Sequence, residues 1–192
     1  MEAALSPRAG QETRIRETRI EETRIEETRM RTLLIVFHSM TGAARQMADA
    51  AAAGASAEAE DSVRLLRAAE AGPEDVLGAD GYLFATPEKL AAVSGLMKDF
   101  FDRTYYAALG RIEGRPYAAL VAAGSDGSNA ARQVARICTG WRLRAVAEPL
   151  VVRTAAQTPE AIAAPKTVAA GDLERCREVG AALAAGLAMG IF

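Results

Sequence analysis

Leu33-Leu34-Ile35-Val36-Phe37 runs without a break into His38-Ser39-Met40-Thr41-Gly42-Ala43-Ala44. The first five residues are a continuous apolar run of strand length, which suits a strand buried on both faces. A short turn rich in hydroxyls and glycine follows, and alanine-rich helical sequence extends from Ala43 to about Ala59. A strand that passes through such a turn into a helix builds an anion site. Free backbone N–H groups point outward there, and the helix dipole favours negative charge. Ser39 and Thr41 add hydroxyl donors, and Gly42 lets the backbone approach closely. The turn lacks the second glycine of GxGxxG and the lysine of a P-loop. It therefore suits a single terminal phosphate better than a dinucleotide pyrophosphate or ATP. Ordinary capping of the helix by Ser39 or Thr41 is the plainer alternative.

Downstream, strand and helix patterns alternate. Ser62–Leu66 is a short strand, Pro73–Leu77 a helix opened by proline, and Gly81–Ala85 another buried strand. Ser94–Leu109 is an amphipathic helix, with Leu96, Met97, Phe100, Phe101 and Tyr105 three and four apart. Tyr117–Ala123 is a fourth strand and Ser128–Thr139 a helix. Leu143–Val152 holds a fifth strand interrupted at Pro149, and Asp172 caps a terminal helix that runs to about Met189. Five such alternations predict an α/β fold with a parallel sheet covered on both faces. In sheets of this kind ligands bind beyond the carboxyl ends of the strands, near the point where strand order reverses. That rule selects the loops after strands one, three and four. The second of these reads Thr86-Pro87-Glu88-Lys89-Leu90-Ala91-Ala92-Val93. The third reads Gly124-Ser125-Asp126-Gly127, with Asp126, Ser128 or Asn129 available to cap the next helix.

Composition bounds the function. The 192 residues are 50% hydrophobic and 25% charged, enough for one ordinary core. With 23 basic against 25 acidic residues, the net charge of -2 argues against nucleic acid as a partner. No uninterrupted apolar run of ~18 residues is present, so no membrane-spanning helix is expected. The two cysteines, Cys138 and Cys176, are far apart and read as buried small side chains. They suggest neither a disulfide framework nor a structural zinc, and a reducing cytoplasmic setting follows. Residues 12–31 form a tandem pentapeptide, from Glu12-Thr13-Arg14-Ile15-Arg16 to Glu27-Thr28-Arg29-Met30-Arg31, that fills most of the stretch 1–30. A period of five gives its isoleucines no common face on a helix or a strand. The segment is expected to be a low-complexity, mobile tail to a folded domain at 31–192, with Met30 as an alternative start.

The residues Ser39-Met40-Thr41-Gly42, the stretch from Thr86-Pro87 to Ser94-Gly95-Leu96-Met97-Lys98-Asp99-Phe100-Phe101-Asp102-Arg103-Thr104, and Ala123-Gly124-Ser125-Asp126-Gly127 together resemble the flavodoxin-like family. The branch they resemble most is the NAD(P)H-dependent FMN reductase and WrbA-like quinone reductase group. The resemblance covers about Met30 to Phe192. It implies a three-layer flavodoxin-like sandwich with a five-stranded parallel sheet in the order 2-1-3-4-5. It also implies that His38, Ser39, Met40, Thr41, Gly42, Ala43 and Ala44 cradle the phosphate of FMN. Thr86, Pro87, Glu88, Lys89, Leu90, Ala91, Ala92 and Val93 would then line the isoalloxazine ring, with Gly124, Ser125, Asp126 and Gly127 on its other side. The implied activity is transfer of electrons from NAD(P)H through FMN to a quinone or similar small acceptor. The resemblance also leaves room for a homo-oligomer whose subunits complete each other's sites.

Two departures keep other functions open. Ala43 and Ala44 stand where the family offers a further side-chain donor, and no aromatic lies in residues 86–93 or 124–129. The alternatives are a flavodoxin-type electron carrier and a flavodoxin-like domain that has lost FMN and acts as a binding module. No catalytic residue and no metal site is expected, because flavin chemistry needs no acid or nucleophile from the protein. Glu88 and Lys89 read first as a solvated surface pair. Asp99, Asp102 and Arg103 read as structural ion pairs, and Tyr105, Tyr106 and Trp141 as packing at the edge of the core.

Overall fold

β1 (Leu33–Phe37) is buried at all five positions, as its unbroken apolar sequence requires. It lies between two parallel neighbours, β2 (Val63–Arg67) and β3 (Gly81–Lys89), with Ile35 opposite Leu65 on one side and Leu83 on the other. β5 (Pro116–Ala123), also buried throughout, pairs parallel with the far edge of β3. These elements belong to a computed structural model that describes residues 31–59 and 62–192. The expectation for the repeat tail, residues 1–30, lies outside them.

The outer edge of β5 is shared by two short strands. β6 (Arg144–Ala145) pairs with its start and β7 (Leu150–Arg153) with its end. Between them Pro149 has no N–H to give a ladder, which breaks the fifth position where the sequence suggests it. The parallel core thus follows the order 2-1-3-4-5, with the last position in two pieces. A two-residue strand, β4 (Ala92–Val93), adds an antiparallel pairing at the end of β3.

Side chains of successive strand residues alternate between two cores. Leu33, Ile35, Leu83, Leu120 and Ala122 face α1 (Ala43–Glu58) and α6 (Ala170–Ala188). Leu34, Val36, Tyr82, Phe84 and Ala119 face α2 (Pro73–Gly78), α3 (Gly95–Ala108) and α4 (Ser128–Gly140). The first core is built largely of alanine, and its helices nearly touch. A Cβ on Gly180 would stand 1.9 Å from the carbonyl oxygen of Ala51, and one on Gly54 2.1 Å from that of Arg177. The second core is aromatic, with Phe84, Phe100 and Phe101 packed around Trp141.

Four local features differ from the sequence expectation. β3 continues four residues beyond Ala85, because Thr86 and Pro87 stay paired with β5 and Glu88 and Lys89 pair with β4. Leu96 is half exposed on α3, whose inward face is Met97, Phe100, Phe101, Thr104 and Ala108. Ala169 holds the N-cap position of α6, so Asp172 lies inside its first turn and is not the cap. A short helix, α5 (Pro159–Ala163), interrupts what reads as loop. Its start is encoded by Thr158, whose hydroxyl accepts from the Ala161 N–H, and by proline at the first helical position.

Candidate functional site

The turn after β1 delivers the chain into α1 through Gly42, whose φ of 95° lies in the left-handed region. The Gly42 N–H donates to Ser39 Oγ at 3.1 Å, so the serine hydroxyl fixes the turn and does not cap the helix. The N–H groups of Ala43, Ala44 and Arg45 meet no protein acceptor among the described residues. A helix start with three free donors and two small buried side chains is an open cradle for an anion. The cradle lies at the carboxyl end of β1, where strand order reverses between β1 and β3. A cleft of about 80 Å³ opens at this point, with residues 39–41 on one wall and residues 87–89 and 122–124 on the others.

Of the three expected loops, the first and third meet the cleft as loops, while the second is a hairpin. Pro87, Glu88 and Lys89 line the cleft, as do Ser39, Met40, Thr41, Ala43, Ala44 and Gly124. Leu90 and Ala91 form the two-residue turn between β3 and β4, with φ of 50° and 57°, and Leu90 projects wholly into solvent. Ala92 and Val93 belong to β4, and the Val93 N–H donates to Gln133 Oε1 on α4 at 2.9 Å. The Thr86 hydroxyl is buried against Ser94 at 3.1 Å. Residues Thr86, Leu90, Ala91, Ala92 and Val93 therefore do not wall the cleft. The expectation of an open ring-binding loop missed the pairing of Glu88 with Val93 and of Lys89 with Ala92.

Glu88 and Lys89 do not form a solvated pair. The Glu88 carboxylate accepts from the Gly127 N–H at 2.8 Å and the Ala130 N–H at 3.4 Å. It thus caps α4 from the end of β3, the role expected of Asp126, Ser128 or Asn129. Asp126 instead accepts from the Ser128 hydroxyl, and Asn129 donates to the Ala91 carbonyl, which draws the hairpin onto α4. Ser125 and Asp126 stand outside the cleft, and Gly127 turns at φ 81° beneath the Glu88 carboxylate. His38 lies beside the cleft rather than in it, and its backbone N–H donates to Ala85 O at 3.0 Å. Burial holds its imidazole below the ordinary pKa, and the nearby Lys89 and Arg67 charges push the same way.

Sequence reasoning missed one wall entirely. Residues 154–168 leave β7 and cross over the cradle as a strap. Thr154, Ala156, Ile162 and Lys166 of this segment line the cleft. The strap lies close because Gly124 has no side chain; a Cβ there would sit 2.9 Å from Ala156 O. At its far end the Lys166 N–H donates to Thr41 O at 2.7 Å, while Gln46 Nε2 donates to Lys166 O and Gly42 O. The Thr158-Pro159 helix start was the legible signal for this segment.

Asp99 pairs with Arg103 and Asp102 with Lys98 on α3. Trp141 is buried in the aromatic core, and Tyr106 is exposed near the carboxyl end of α3. Burial raises both cysteine thiols, Cys176 to about 11. Among the described residues no group of histidine, cysteine and acidic side chains could hold a metal. None of the described helices is long and apolar enough to cross a membrane.

Comparison with known proteins supports the fold. Residues 67–157 match the family described as NADPH-dependent FMN reductase. A flavodoxin of Aquifex aeolicus is 36% identical over 98 residues, which cover 51% of this chain and 53% of the relative. A protein named NAD(P)H dehydrogenase (quinone), from Acidithiobacillus ferrooxidans, is 32% identical over 95 residues, covering 39% of this chain and 48% of the relative. The chain spans about half the length of these curated relatives. The crystal structure of a flavodoxin, WrbA-like protein from Agrobacterium tumefaciens superposes with a TM-score of 0.66 at 18% identity, over 83% of this chain and 98% of that one. The chain has a flavodoxin-like fold, and residues 67–157 are similar to the FMN reductase family.

Proposed function

We propose that this chain binds FMN in the cleft and passes electrons from NAD(P)H to a quinone or a similar small acceptor. The observation that carries this reading is the uncapped first turn of α1, which has three free N–H groups and whose Ala43 and Ala44 line a cleft at the switch point of the sheet. The donor set fits a phosphomonoester: backbone N–H groups, the positive end of a 16-residue helix, and no carboxylate on the cradle itself. FMN, when bound, supplies the redox chemistry by accepting electrons from a nicotinamide and passing them on.

The chain's own part is to hold, orient and cover. The first turn of α1 holds the phosphate. Pro87 and Met40, the latter 70% exposed, offer apolar surface at the mouth of the cleft, against which a flat ring can lie. Glu88, fixed by the Gly127 and Ala130 N–H groups, keeps the hairpin wall at a set distance from α4. No side chain is assigned the role of acid, base or nucleophile. Similarity to the Aquifex flavodoxin favours a second reading, an electron carrier that holds FMN without accepting electrons from a nicotinamide.

A visible absorption titration separates these readings. Adding FMN to the purified protein should produce a bound-flavin spectrum, and anaerobic NADH or NADPH should bleach it. A bound flavin that does not bleach identifies the carrier. No binding at all ends both redox readings. Thr41→Ala combined with Gly42→Val should abolish FMN binding with the fold retained by circular dichroism, since a branched side chain at φ 95° spoils the cradle.

A further inference from the structure

Lys166 enters the same cleft from the strap, with its ammonium in no ion pair among the described residues. We propose that Lys166 is the cation that recognises the phosphate of the bound flavin, in place of the side-chain donors that Ala43 and Ala44 do not supply. This rests on the FMN reading and adds to it a residue that binds the phosphate and sets specificity for it.

Three observations place Lys166 at the cradle. Its backbone is fixed there on both sides, by its N–H to Thr41 O at 2.7 Å and by Gln46 Nε2 to its carbonyl at 2.7 Å. Gln46 Oε1 then accepts from the Val168 N–H at 3.1 Å, so one side chain of α1 clamps the strap across two residues. Lys166 lines the cleft with Thr41, Ala43 and Ala44. Its ammonium forms no ion pair among the described residues and donates instead to the carbonyls of Ile162 and Ala164.

Those carbonyls lie at the exposed end of the five-residue α5. They are neutral acceptors that water can satisfy when the ammonium leaves. A phosphate oxygen is a charged acceptor, and charge-assisted hydrogen bonds are roughly twice as strong as neutral ones. The lysine stem can make the exchange by side-chain rotation, with the backbone held by its two hydrogen bonds. The free N–H groups of α1 and the Lys166 ammonium would then both serve the anion. Lys166 adds a full positive charge to the turn's own preference for an anion, which further rewards the phosphomonoester of FMN over the uncharged end of riboflavin.

The test titrates full-length wild type, Lys166→Met and Lys166→Arg with FMN and with riboflavin, following flavin fluorescence. A parallel thermal-shift series uses inorganic phosphate against chloride at matched ionic strength. Loss of one charged hydrogen bond should weaken FMN binding by Lys166→Met about tenfold or more. Riboflavin binding should stay unchanged, which also reports an intact fold, and Lys166→Arg should recover most of the FMN affinity. Equal FMN affinity in wild type and Lys166→Met overturns the assignment and leaves the FMN reading standing. So does a parallel loss for both flavins, since the lysine then serves only to hold the strap. If wild type binds neither flavin but phosphate stabilises it and not Lys166→Met, the FMN reading falls and the phosphate role of Lys166 holds. Stabilisation by neither flavin nor phosphate overturns both.

Discussion

Glu88 joins stability and site geometry in one side chain. Its carboxylate serves two backbone N–H groups at the start of α4, a position where negative charge also meets the helix dipole. Removing it strands those donors in a partly buried place. Glu88→Ala should cost about 1–2 kcal/mol in urea unfolding, the range for a lost N-cap, with Glu88→Gln between it and wild type. A wild-type value for Glu88→Ala would show that water replaces the carboxylate freely. His38 gives a pH signature of definite sign. Its folded-state pKa lies below 6.5, through burial first and then the Lys89 and Arg67 charges, so the unfolded chain takes the proton more readily. The contribution is complete above pH 6.5 and is lost as pH falls through 6.5 toward the lower folded value. The stability advantage of wild type over His38→Gln should therefore shrink between pH 7.5 and pH 5. An advantage that grows on acidification would reverse the assigned sign.

At the scale of elements, two close contacts decide the architecture around the cleft. The first is the β3–β4 hairpin. Its Leu90-Ala91 turn puts two non-glycine residues at positive φ, where asparagine and glycine are the usual occupants. That substitution of residue types is why a run of apolar and small residues hid a hairpin from sequence reading. The second is the crossing of α1 and α6, where Gly180 faces the Ala51 carbonyl and Gly54 the Arg177 carbonyl. A methyl at Gly180 has no room unless the helices part. Gly180→Ala should therefore lower stability by about 1–3 kcal/mol, against a gain of up to about 1 kcal/mol in helix propensity. Gly171→Ala lies on the same helix with open space around it and should be neutral or slightly stabilising. Equal effects of the two substitutions in thermal or urea unfolding would mean that the helices separate at no cost. The crossing also bears on the cleft, because α1 carries the cradle at its first turn.

Across the whole molecule, what the sequence disclosed and what it hid follow from the range of the interactions. The unbroken apolar runs at residues 33–37 and 117–123 announced the buried parallel strands, and Pro149 marked the break in the edge. The turn between β1 and α1 was legible because its parts are consecutive. Lys166 lies 125 residues from Thr41 in sequence, and the Glu88 cap is 39 residues from Gly127, so neither left a local pattern. The same long-range weave makes a prediction about cooperativity. β5 sends Ala118, Leu120 and Ala122 into the alanine-rich core and Tyr117 and Ala119 into the aromatic one. Every central strand serves both cores in this way, so neither core can lose its helices without baring strands that the other needs. Trp141, the single tryptophan, is buried in the aromatic core with the Phe101 ring 5.3 Å away. Leu183 is buried on α6 in the opposite core. Leu183→Ala should cost about 2–4 kcal/mol and move the tryptophan transition by as much as the far-UV circular dichroism transition, although no atom of the altered side chain belongs to the tryptophan's cluster. A circular dichroism midpoint that falls while the tryptophan midpoint stays would show two separable halves joined by the sheet.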